Sequence, residues 1–116
     1  MNYSVLYATA KKSEVASHSK ILIRHADGST AKHSQVHRQS PARATLCGLI
    51  DAIRSLSVGS HVKLVTDIDM GIGRLENTIN HDLKRIMVEA LKEKSCTFEF
   101  QHVECSNSIW EYIAAA

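Results

Sequence analysis

The sequence lacks any apolar run near the roughly 18 residues that a membrane-spanning helix needs. Its first residues, Met-Asn-Tyr-Ser-Val-Leu, lack the basic segment and apolar stretch of a secretory signal. No membrane span and a cytoplasmic location are therefore expected. Cysteine is scarce: Cys47, Cys96 and Cys105 are odd in number and include no Cys-x-x-Cys spacing. That pattern argues against a disulfide framework and a zinc site, and fits three reduced thiols. Aromatic residues make up only 5% of the chain, which leaves little material for stacking on nucleobases. There is no Gly-x-Ser-x-Gly elbow and no Walker sequence, and Gly71-Ile72-Gly73 is too short for a phosphate loop. No histidine pair has zinc-like spacing with a third ligand nearby. His33 and His37 share one side of a segment that reads as a polar edge strand.

What is present suits one globular domain spanning residues 1–116, with 44% hydrophobic and 22% charged residues. The net charge of +2 hides an asymmetry. Residues 1–58 carry eight Lys/Arg against three acids, and residues 59–116 carry six against nine. His18, His25, His33 and His37 also fall in the basic half. Basic residues gathered on one part of a fold attract phosphate, or equally an acidic protein surface.

Alternation predicts a first strand at 3–9, with Tyr3, Val5 and Tyr7 on one side, and a polar loop at 10–18. A second strand is expected at 20–26, a turn at Asp27-Gly28, and a more polar third strand at 30–38. The clearest helix starts at Ser40-Pro41, a cap followed by a favoured first residue. It carries Leu46, Leu49, Ile50, Ile53 and Leu56 on one side, with Gly59 as its stop signal. A fourth strand is expected at 61–67 and a short helix at Arg74–Ile79. A longer helix is expected at 82–93, a fifth strand at 95–103 and a last helix at 107–115 bearing Ile109, Trp110 and Ile113. Three hairpin-linked strands followed by alternating helices and strands imply a mixed sheet.

This order, with the run from Ala44 to Ile53 leading through Gly59 to Leu64-Val65-Thr66-Asp67, resembles the ribonuclease H family. The run Leu83–Leu91 followed by Cys96-Thr97-Phe98-Glu99-Phe100 is similar to that family's later helix and last strand. The resemblance covers nearly the whole chain. It implies an α/β, ribonuclease H-like mixed five-stranded sheet with helices on its faces.

In that family, carboxylates from the first strand, first helix, fourth-strand end and last helix hold two Mg²⁺ ions about 4 Å apart. Carried over to this chain, the resemblance sets Thr9 where the first-strand Asp belongs and Thr45 where the helix Glu belongs. Asp67 matches the fourth-strand acid and Glu111 the last-helix acid. Asp69 and Glu76 follow, and Asp67 with Asp69 forms the candidate set for one weakly held ion. A neutral hydroxyl does not offset the charge of two adjacent dications. The reading is thus a catalytically inactive binding domain that needs no cofactor. It would contact nucleic-acid backbone or a protein partner through Arg24, Lys32 and Arg38 on the basic hairpin. Two alternatives stand beside it. One is a Mg²⁺-dependent nuclease with a rearranged acid set. The other is a phage or mobile-element accessory protein that modulates a partner.

Overall fold

A computed structural model describes residues 2–68 and 80–116. The expected Arg74–Ile79 helix, Asp69 and Glu76 lie outside the described residues. Strand β1 spans Tyr3–Lys12, β2 Ser17–His25 and β3 Thr30–His37. Helix α1 spans Pro41–Arg54, β4 His61–Thr66, α2 His81–Glu93, β5 Thr97–His102 and α3 Ser106–Ala115. The sheet order is β3-β2-β1-β4-β5. β1–β2 and β2–β3 pair antiparallel, while β1–β4 and β4–β5 pair parallel.

The first hairpin is longer than the sequence reading allowed. Residues 10–12 and 17–19 belong to strands rather than to a loop, with Lys12 opposite Ser17. The sequence signal is weak there because the inward residues are small and polar. Ser17 and Ser19 are buried beneath α1. Their hydroxyls are satisfied by the Gln39 carbonyl at 2.6 Å and by His37 Nε2 at 3.1 Å. Gly48 of α1 faces Ser19, and a Cβ there would lie 3.1 Å from Ile21 and 3.2 Å from Ser19 Oγ. Small residues on both sides thus let α1 lie close on β2.

Ser40 caps α1 by accepting from the Arg43 amide. The helix ends at Arg54, five residues before the expected stop at Gly59, and Ser55 closes it by donating to the Ala52 carbonyl. Gly59 instead takes a positive φ of 83° in the link to β4, and its amide donates to Lys94 O. β5 starts at Thr97 rather than 95, because Ser95 sits at φ 54° and breaks the extended chain.

Alternation assigns the sheet's two sides. Leu6, Ala8, Ile21, Ile23, Val62 and Leu64 point toward α1 and α2 and form the main core with Leu46, Leu49, Ile53, Met87 and Leu91. The other side buries Leu22 against Ile109 and Ile113 of α3, with Tyr7 and Val103 packed around them. Arg43 joins α1 to α2 through a forked pair with Asp82, at 3.1 and 2.9 Å. That pairing holds the Asp82 carboxyl down to about 2. Among the described residues, no helix is long and apolar enough to cross a membrane.

Candidate functional site

The parallel pairing of β1 with β4 runs as far as Ala8 opposite Thr66. The next residues, Thr9 and Asp67, therefore come side by side at the C-terminal end of β4, three residues before the end of β1. Thr9 Oγ1 donates to Asp67 Oδ2 at 3.4 Å, and Thr66 Oγ1 donates to Oδ1 at 3.3 Å. Thr9 is fully buried. The juxtaposition follows from register alone, so the two residues that the resemblance singled out on the first and fourth strands meet here, as one hydroxyl and one carboxylate.

The other two positions do not join them in the same way. Thr45 is buried in α1, and its Oγ1 donates back to the Pro41 carbonyl at 2.9 Å. Glu111 lies on the solvent side of α3. The buried Ile109 and Ile113 flank it, and each lies about half a turn round the helix from it. Among the described residues, no hydrogen bond or ion pair joins it to Asp67. Helical periodicity explains the exposure of Glu111, since the apolar pair that docks α3 also fixes which residues point outward. The polar neighbour that the sequence reading missed is His102, whose Nε2 lies 3.2 Å from the Asp67 carbonyl oxygen. Its signal is the β4–β5 register, which sets His102 level with Thr66.

A two-ion centre needs several carboxylates converging on one point. At this strand end the described residues offer one carboxylate, already accepting from two hydroxyls, together with an imidazole bound to backbone. Among the described residues, no group of three or more His, Cys, Asp or Glu is placed to hold a metal ion. The donor set described does not fit a Mg²⁺ pair.

The basic residues divide into two groups. β2 pairs with β3 so that Leu22 opposes Lys32 and Arg24 opposes Thr30. Directly opposed residues share a side in an antiparallel pair, so Arg24, Lys32 and Lys20 all lie on the α3 side. Arg38 falls just after the last paired residue, His37. It lines a separate open groove of about 900 Å³ with Lys12, Glu14, Val15 and Val36. Six residues of strand, roughly 20 Å, separate it along β3 from Lys32.

Aromatic rings of α3 lie among the first group. Arg24 Cζ is 5.7 Å from the Tyr112 ring centre, and Tyr112 packs on Tyr7 at 4.6 Å. Burial raises the Tyr7 phenol above its ordinary value, and the hydrogen bond with Tyr112 adds to the effect. Lys11 and Lys20 place their ammonium nitrogens 4.8 and 4.3 Å from the Trp110 ring centre. The sequence reading had missed both lysines as a pair, because Lys11 lay in its expected loop.

No protein-family model and no curated protein sequence matches the chain. Solved structures do. The N-terminal RNase H domain of Rv2228c from Mycobacterium tuberculosis, solved as a fusion with maltose-binding protein, is similar with a TM-score of 0.68 at 15% identity. That alignment covers 96% of this chain and 95% of the other. RNase H1 from the halophilic archaeon Halobacterium salinarum is similar with a TM-score of 0.60 at 16% identity, covering 98% and 99%. With the mixed five-stranded sheet and the helix order already described, these likenesses show that the chain has the ribonuclease H-like fold.

Proposed function

We propose that this domain binds the phosphodiester backbone of nucleic acid through the α3 side of its antiparallel hairpin, without cleaving it by the two-ion route. The observation that carries this reading is the neutral Thr9 hydroxyl beside Asp67, on the same side of the sheet as the cations of β2 and β3. Arg24 and Lys32 supply positive charge close together on neighbouring strands, a spacing suited to phosphates. The similar solved domains are RNase H by name, which favours a nucleic acid over an acidic protein as the polyanion.

A filter-binding titration of the whole chain against salt tests this. Binding that weakens steeply as salt rises, with no strand cleavage in Mg²⁺ or Mn²⁺, is the expected result. Efficient metal-stimulated cleavage of an RNA–DNA hybrid, abolished by Asp67→Asn, would instead establish a nuclease with a rearranged acid set. Retention of an acidic protein but of no nucleic acid would establish the protein-partner reading.

A further inference from the structure

Lys11 and Lys20 come together only because the first hairpin is long. The β1–β2 register sets Thr9 opposite Lys20 and Lys11 opposite His18. Lys11 and Lys20 are thus diagonal neighbours on the α3 side of the sheet. α3 is anchored on Leu22 by Ile109 and Ile113, and this docking brings the half-buried Trp110 ring centre within 4.8 Å of the Lys11 ammonium nitrogen and 4.3 Å of the Lys20 one.

Two like charges gathered at one indole repel each other, and the ring quadrupole offsets only part of that cost. Among the described residues, no ion pair involves Lys11 or Lys20. An anion between them would gain two charge-assisted contacts and relieve the repulsion. The position is informative as well. Lys20, Thr9 and Asp67 form a row across three adjacent strands, about 4.8 Å apart in turn. A backbone held at Lys11 and Lys20 would therefore run close to the strand end where Thr9 stands beside Asp67.

Resting on the nucleic-acid reading above, we infer that Lys11, Lys20 and Trp110 form a phosphodiester anchor, the strongest single contact of this domain with a nucleic-acid strand. The ring holds the two ammonium groups in place, and the phosphate takes their charge.

Trp110 is the chain's one tryptophan, so it reports on its own site. The test follows the anisotropy of fluorescein-labelled single-stranded and duplex oligonucleotides together with Trp110 emission, using the whole chain. Trp110 emission is expected to change saturably with the same midpoint as anisotropy. Lys11→Gln and Lys20→Gln each weaken binding by about tenfold and reduce the salt slope by about 0.7 on single strands and 0.9 on duplex. Lys92→Gln, an exposed charge on α2, leaves binding unchanged. Both arms report phosphodiester, and the ratio of their affinities identifies which form is preferred. Unchanged thermal melting of the two lysine variants confirms that folding is not the cause, and Trp110→Phe preserves the affinity ranking among the lysine variants. Binding that survives both lysine substitutions, or saturates with Trp110 emission unmoved, overturns the anchor and leaves the broader reading standing. Polyglutamate that binds as tightly, with the same dependence on the two lysines, overturns the choice of phosphodiester. No binding to any oligonucleotide overturns both.

Discussion

On the α1–α2 side of the sheet, Leu6, Ile21, Ile23, Val62 and Leu64 meet Leu46, Leu49, Ile53, Met87 and Leu91, all at most 2% exposed. On the α3 side, the buried apolar contact reduces to Leu22, Ile109 and Ile113 with their partly buried neighbours. That side also carries the charged and aromatic residues Lys11, Lys20, Arg24, Trp110 and Tyr112. One side thus supplies most of the hydrophobic stability, and the other is free to carry charge because folding depends on it less.

The largest expected effect lies in the main core. Leu49→Ala should cost about 2–5 kcal/mol in urea unfolding, while oligonucleotide affinity of the folded fraction is unchanged. Thr45→Glu places a carboxylate at a buried position whose hydroxyl now bonds the Pro41 carbonyl. A cost of about 3 kcal/mol is expected, with no gain of cleavage in a Mn²⁺ assay. On the α3 side the outcome should reverse. Arg24→Gln with Lys32→Gln is expected to shift stability by less than about 0.5 kcal/mol, yet weaken nucleic-acid binding by about tenfold.

A smaller effect belongs to the exposed Arg43–Asp82 pair. The folded-state carboxyl titrates at about 2, below the ordinary value of 3.8, so its contribution is present above pH 4 and fades as pH falls toward 2. Wild type and Asp82→Asn should therefore differ in melting temperature at neutral pH and converge near pH 2. The smallest effect is at the strand end. If the domain binds phosphate without metal, Asp67→Asn removes a nearby negative charge and should tighten binding about twofold at low salt. A metal-dependent enzyme would lose function with the same change.

Thr9 and Asp67 could be paired from the sequence because family-like motifs place both at strand ends, and a parallel ladder then sets them level. His102 was missed because its approach to Asp67 depends on the β4–β5 register, which no local pattern encodes. Glu111 illustrates the converse. The apolar spacing of Ile109 and Ile113 already contained the information that it lies on the solvent side of α3. Arg24 and Lys32 sharing a side was legible from parity, whereas Arg38 falls outside the ladder that would have given its parity a meaning.

Periodicities of 2 and about 3.6 residues, the Ser40-Pro41 start of α1 and the Asp27-Gly28 turn are local properties, and the sequence by itself determined them. Hairpin length, strand register and the docking of α3 depend on contacts between residues far apart in the chain. Those contacts turned an expected loop into paired strands and brought Lys11, Lys20 and Trp110 to one place. Only the tertiary structure decided them, because small buried residues such as Ser17, Ser19 and Gly48 act through the close packing they permit, and alternation of polar and apolar residues does not register it.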